Sequence, residues 1–288
     1  MSRDADRAER TDYELLDAGL GRRLERFGAR VVDRPAPTAG GWRSAPEPWA
    51  RADLRFDAGG GWAGPMDPWP IDIDGLVMDL RPTASGGLGL YPEHVANLAW
   101  LADQVRSTQR QRAPEAEPAI LNLFAHTGLA TLAAARAGAS VAHVDAARGA
   151  VAWARRNAEL SGLADRPIRW LVDDAMAFVA REARRGRRYD GIVLDPPSFG
   201  RTRQGRRRRT WRLEDELPAL LALCRDVATN DAWVLLTAHS EGVDGDWLEG
   251  ALLTAFRVPR NRVRTTPLGL DATSGARLDL GWAVRLSL

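Results

Sequence analysis

Apolar positions between residues 119 and 200 fall into short unbroken runs, separated by longer stretches with helical spacing. Residues 119–124 (AILNLF) form one such run, and its length and flanks predict a buried strand of a parallel sheet. His126-Thr127-Gly128 makes a turn. Residues 129–137 are rich in Ala and Leu and predict a helix, which Gly138 ends. Residues 140–144 give a second strand that ends on Asp145. The pattern then repeats: helix Arg148–Leu160 closed by Gly162, strand Ile168–Val172 leading to Asp173-Asp174, helix Ala175–Arg184, and strand Tyr189–Leu194 ending in Asp195-Pro196-Pro197-Ser198-Phe199. An Arg-rich loop follows, then a helix over 213–228, a strand over 233–238, a helix over 247–256, and strands near 262–268 and 278–286. This alternation predicts a doubly wound α/β sheet of seven strands. The last two strands are joined by LDATSGA rather than a helix and should pair antiparallel.

The N-terminal third reads differently. Residues 1–12 are charged and predict a frayed tail. Residues 13–33 alternate weakly, with Gly19, Gly21 and Gly28 as turn points between short strands. Residues 34–70 are dense in Pro, Gly and Trp. Trp42, Trp49, Trp62 and Trp69 are read as buried indoles pinning loops and strand edges, with base-stacking platforms as the alternative. Residues 69–81 predict a hairpin with its turn at Asp74-Gly75. Gly86, Gly87 and Gly89 make a loop, and Pro92 opens a helix to about Val105. The expected organisation is a small N-terminal α+β domain over 13–105, a polar Pro-containing linker over 106–118, and the alternating domain over 119–288.

Composition narrows the class. At 288 residues and 45% hydrophobic content the chain can build a sizeable core. No apolar run reaches membrane-spanning length, and no apolar segment follows the charged N-terminus as in a secretory signal, so the cytoplasm is the expected compartment. The single Cys excludes an intramolecular disulfide framework and a Cys-based metal cluster. Net charge is only +2, and every Lys/Arg position is Arg, so only local Arg clusters carry weight.

Four consecutive strand tips bear conspicuous groups: Phe124-Ala125-His126-Thr127-Gly128, Asp145, Asp174 and Asp195. In an open α/β sheet such tips face the ligand crevice. A single Asp there is commonly a helix cap. Asp145 suits a ribose diol, because a carboxylate accepts two hydroxyl hydrogen bonds. No G-x-G-x-x-G is present, so a phosphate-free ligand fits better than a dinucleotide.

These segments, NLFAHTG, VDAARGAVAWARRNAELSGL, DDAMAFV and YDGIVLDPPSFG, resemble the class I S-adenosylmethionine-dependent methyltransferases. More narrowly, they resemble the large-subunit rRNA methyltransferases with a DPPSF signature. The resemblance implies a Rossmann-like fold and S-adenosylmethionine as cofactor. By it, Phe124–Gly128 cradles the methionine part, Asp145 with Ala146 holds the ribose, Asp174 with Ala175 meets the adenine, and Asp195–Phe199 lines the transfer site. Methyl transfer from a sulfonium is a displacement that needs positioning rather than a metal. The Asp195 carboxylate and the Pro196 carbonyl can accept N–H bonds from an exocyclic amine. Pro196 and Pro197 stiffen the backbone, and Phe199 is placed to stack a flipped base. A cysteine-based attack on a pyrimidine ring is disfavoured, since Cys224 sits at a buried helical position. His239, at the tip of the next strand, is a candidate base or target contact. Residues 201–212 (RTRQGRRRRTWR) follow the DPPSFG tip, and Arg201, Arg203, Arg206, Arg207, Arg208 and Arg209 are candidate phosphate contacts. RNA, with rRNA favoured, is the expected partner. A small-molecule or protein methyltransferase, or an RNA-binding protein without activity, are the competing readings.

Overall fold

The computed structural model describes residues 11–113, 116–204, 207–239 and 243–288. It divides into two compact units that are not sequential. One comprises the residues up to Ala96 with Arg156–Gly162 and Leu268–Leu280, and the other comprises Asn97–Arg155, Leu163–Pro267 and Gly281–Leu288.

In the first unit, β1 (Tyr13–Gly19), β2 (Arg22–Phe27), β3 (Arg30–Pro35), β4 (Leu54–Asp57) and β5 (Gly61–Ala63) form a sheet in that order. β1 to β3 meander antiparallel, turning at Gly21 and Gly28, whose φ angles are 71° and 62°. Of the expected tail, residues up to 10 lie outside the described residues. Asp12 is tied in instead: its N–H donates to the Asp72 carbonyl at 2.8 Å, and its carboxylate accepts the Asp72 N–H at 2.9 Å. The predicted hairpin is present as β6 (Trp69–Ile73) and β7 (Leu76–Leu80), turning through Asp74 and Gly75 with φ of 51° and 74°, the mirror-image turn that matches strand twist. Three indoles pin backbone or side chains as expected. Trp49 donates to Asp17 at 2.9 Å, Trp62 to the Thr83 carbonyl at 2.7 Å, and Trp69 to the Phe27 carbonyl at 3.1 Å. Trp42 departs from that reading and is 84% exposed. The unit is nearly all β; its helices are the five-residue α1 (Pro46–Ala50) and short helical segments at its borders.

The second unit is built on seven strands: β8 (Ala119–Leu123), β9 (Ser140–Asp145), β10 (Ile168–Val172), β11 (Tyr189–Leu194), β14 (Ala228–Ala238), β15 (Val263–Asp271) and β16 (Arg277–Ser287). A separate two-stranded sheet, β12 (Phe199–Gln204) with β13 (Arg207–Arg212), lies between β11 and β14 in the chain. The large sheet runs β10-β9-β8-β11-β14-β16-β15. Its first five strands are parallel, and β16 is antiparallel to β14. The chain reverses its direction of travel across the sheet between β8 and β11, and at such a switch point the carboxyl ends of the strands open a crevice. The helices are α2 (Val95–Arg110), α3 (Leu129–Arg136), α4 (Arg148–Leu160), α5 (Ala175–Arg184), α6 (Leu213–Val227) and α7 (Gly245–Phe256). Leu121, Leu123, Ile192, Leu194, Val234 and Leu236 are at most 1% exposed and form the centre of the core.

Two expectations are corrected here. The linker over 106–118 begins five residues late, because Arg106–Arg110 contains no helix breaker and continues α2. The C-terminal segment does not belong wholly to the second unit. Residues 268–280, the facing ends of β15 and β16, belong to the first, where Leu278 is buried with Leu15 and Ala18 and the Thr273 N–H donates to the Leu15 carbonyl at 2.9 Å.

Gly191 in β11 faces the indole of Trp233 on β14, and a Cβ there would lie 2.2 Å from a ring carbon. Gly191→Ala should therefore destabilise the fold by about 1–3 kcal/mol through overpacking, read as a lower urea midpoint with unchanged slope.

Candidate active site

The turn after β8 is an unusual piece of backbone. Phe124, His126 and Gly128 have φ of 54°, 47° and 94°, so three of five residues are left-handed and two of them carry side chains. A non-glycine residue there costs about 1–2 kcal/mol, so neighbouring structure must hold it. The holding group is Asp145 at the tip of β9. One carboxylate oxygen accepts the His126 N–H at 2.8 Å and the other accepts the Ala147 N–H at 2.8 Å. The Ala125 N–H donates to the Val144 carbonyl at 3.1 Å. Any side chain at Gly128 would be strained, since its φ is 94° and a Cβ would also lie 3.0 Å from the Ala154 Cβ on α4. Thr127 is buried under the turn, Ala125 with it, while Ala146 is exposed beside Asp145.

Beneath the turn lies a buried polar chain. The Asn122 amide donates to Thr131 Oγ1 at 2.8 Å, and Thr131 Oγ1 lies 2.9 Å from His143 Nδ1. The Thr131 hydroxyl and His143 Nδ1 share this hydrogen bond, its direction set by the ring's tautomer, and Nε2 is buried without a hydrogen-bond partner among the described residues. Burial, with the positive charges of His126 and Arg155 adding to it, pushes the His143 pKa down to about 3.

The tip of β10 is anchored through the Asp173 N–H, which donates to the Asp145 carbonyl at 3.0 Å. Asp174 is the N-cap of α5, its carboxylate accepting the Ala177 N–H at 3.0 Å, with Ala175 buried as the first helical residue. At the tip of β11, next to β8 in the sheet, Asp195 Oδ1 lies 2.6 Å from the Thr237 hydroxyl and 3.2 Å from His239 Nε2. His239 is thus brought onto the Asp195 carboxylate by the end of β14. Thr237, two residues earlier, was not singled out by the sequence, and no motif marks it. Pro196 is buried, Pro197 exposed, and Phe199 is 51% exposed.

The Arg-rich stretch is a hairpin, not the expected loop. β12 and β13 pair antiparallel from Phe199↔Arg212 to Gln204↔Arg207. Arg201, Arg203, Arg207, Arg208 and Arg209 lie on these strands, of which the backbone alone is described there, and Arg206 lies outside the described residues. Trp211 is the residue sequence reasoning passed over. It is 5% exposed, its indole N–H donates to the Pro197 carbonyl at 2.7 Å, and its ring lies 5.1 Å from that of Phe124. Cys224 is fully buried on α6, and burial pushes its thiol pKa up, so it is not poised as a nucleophile. A cavity lined by Arg188, Arg225, Thr229 and Asn230 sits at the opposite ends of β11 and β14 and does not belong to this crevice.

A family model for S-adenosylmethionine-dependent methyltransferases matches residues 52–240. A solved structure of an S-adenosylmethionine-dependent methyltransferase from Agrobacterium tumefaciens is 34% identical, with a TM-score of 0.87 over 96% of this chain and 91% of that one. A segment of 85 residues, 29% of this chain, is 46% identical to the ribosomal RNA large subunit methyltransferase K/L of Stutzerimonas stutzeri and spans 11% of that protein. A segment of the same length is 38% identical to the ribosomal RNA large subunit methyltransferase K of Neisseria meningitidis serogroup B and spans 24% of it.

The folded pKa of His143 lies below its ordinary 6.5. Between those values the unfolded chain binds the extra proton, so the stability the neutral ring contributes is present above pH 6.5 and lost as pH falls. His143→Gln removes this titration. From pH 7.5 to pH 5 the unfolding free energy of the natural protein should drop about 2 kcal/mol more than that of the variant; parallel curves would show that His143 is not held neutral.

Proposed function

The chain belongs to the S-adenosylmethionine-dependent methyltransferases, and from that premise we propose that it methylates a base in RNA, ribosomal RNA in particular, by direct transfer without a cysteine nucleophile. The observation that carries this reading is the placement of Asp195. Its strand tip neighbours the left-handed turn of the cofactor crevice, its carboxylate is oriented by Thr237 and His239, and an Arg-rich hairpin follows it in the chain. The segment similarity to two ribosomal RNA methyltransferases supports the same substrate class.

The residues present fit S-adenosylmethionine. Each Asp145 oxygen takes one backbone N–H and retains a lone pair, which suits the two hydroxyls of a ribose. Gly128 supplies the left-handed backbone that closes the turn and lets it pack directly against Ala154 of α4. The turn Phe124–Gly128 holds the methionine part and Asp174 the adenine edge. When bound, the cofactor supplies an electrophilic methyl group on a sulfonium.

The remaining work belongs to the transfer loop. Asp195 and the Pro196 carbonyl accept N–H bonds from the target base and aim its nitrogen lone pair. The hydroxyl of Thr237 and the imidazole of His239 fix the plane of the Asp195 carboxylate, so no side-chain reorganisation is needed as the bond forms. The half-exposed ring of Phe199 offers a stacking face for a base turned out of its strand. Arg201, Arg203 and Arg206–Arg209 contact phosphates, which positions the RNA without reading its sequence.

Transfer of labelled methyl groups to RNA from a strain lacking the protein, followed by nucleoside mass analysis, tests the assignment. A single labelled base is the expected product, and label appearing only in protein or small molecules overturns it. Asp145→Ala should cost about 2–3 kcal/mol of cofactor affinity, seen in calorimetry as a Kd rise of roughly 30- to 150-fold. Replacing Arg206–Arg209 with Ser should flatten the dependence of log K on log salt by about 2–3 in slope for single-stranded RNA; an unchanged slope removes the hairpin from the binding surface.

A further inference from the structure

The indole of Trp211 joins two parts of the site that the chain otherwise keeps separate. Its N–H donates to the Pro197 carbonyl at 2.7 Å, inside the transfer loop Asp195–Phe199. Its ring lies tilted at 56° and 5.1 Å from that of Phe124, the left-handed residue that opens the cofactor turn. Its backbone pairs with Gly200 in the Arg-rich hairpin. The next residues are also fixed to the loop, since the Leu213 N–H donates to the Ser198 carbonyl at 3.1 Å. One nearly buried side chain therefore touches the element that holds the cofactor and the element that carries Asp195, and stands on the element with the basic residues.

We infer that Trp211 is a positioning residue that couples cofactor occupancy to the placement of the transfer loop and the basic hairpin. The Phe124 backbone is held in a costly conformation, and its ring position depends on the state of the turn. A shift of that ring as the turn closes on the cofactor moves the indole packed against it. The indole then moves the Pro197 carbonyl, and with it the Pro196 carbonyl and Asp195. An aromatic chosen only to fill the core would need the ring but not the N–H, and the two functions separate in Trp211→Phe. The inference rests on the RNA-methylating reading for its turnover arm and on cofactor binding alone for its spectroscopic one.

The test has two arms. In the first, the Trp211 indole resonance, assigned in the natural protein by triple-resonance NMR, is followed during titration with S-adenosylmethionine. It should shift along the binding curve measured by calorimetry; a resonance unmoved at saturation overturns the coupling. In the second, Trp211→Phe should bind the cofactor within about threefold of the natural protein and keep its KM for RNA within threefold, while kcat falls at least tenfold. A kcat within twofold of the natural value overturns the inference, and so does a loss of cofactor affinity as large as the loss of kcat, which marks a merely structural role. If the natural protein methylates no RNA, the substrate assignment fails and the indole titration still decides this one.

Discussion

The turn after β8 exists because a carboxylate on the neighbouring strand accepts a hydrogen bond that the turn cannot satisfy within itself. Left-handed backbone at Phe124 and His126 points the His126 N–H away from any local carbonyl, and Asp145 Oδ2 receives it at 2.8 Å. Parallel pairing of β8 with β9 brings Asp145 there, one residue beyond the Leu123↔Val144 register. The same carboxylate caps the start of the segment after β9 through Ala147, so the bend that forms the crevice and the acid proposed to recognise a ribose are a single arrangement. Loss of Oδ2 would release the turn, and loss of Oδ1 would release the segment that begins at Ala147; strain of this kind persists only where surrounding structure holds it.

The middle of the chain was open to reading because it is a buried parallel sheet. Its strands are mostly apolar, broken only by single polar residues such as Asn122, His143, Arg169 and Asp190, and Gly138, Gly162 and the terminal Asp residues punctuate them, so the bounds of α4, β10, α5 and β11 match the sequence reading residue for residue. β14 was read five residues short, since the polar run over 229–231 interrupts the apolar signal before Ala232. The hairpin of β12 and β13 was invisible for a related reason. Half of the residues of its two strands are Arg, and a strand with almost no apolar positions has no period to detect. Trp211 was the single clue, an indole set among guanidinium groups. Thr237 left none, because its role depends on the parallel register that sets β14 beside β11.

Asp174 shows how a residue can satisfy the bland and the specific reading together. It caps α5 through the Ala177 N–H, the commonplace use of Asp before a helix. Capping also fixes the carboxylate at the strand tip, which is the place an adenine edge occupies in the proposed complex. His239 makes the reverse point. Sequence position suggested a role toward the target, and the structure engages its ring with the Asp195 carboxylate.

The membership of residues 268–280 in the first unit has a consequence for biosynthesis. Leu278 and Ala272 complete a cluster with Leu15, Ala18, Ala36 and Ala39, whose own residues are translated within the first forty. That apolar patch waits for residues 272–278, far along the chain, to leave the ribosome before it is covered. Strands β1 to β3 must therefore stay soluble until those residues are made, and a premature stop before Ala272 leaves the patch open to chaperones and proteases.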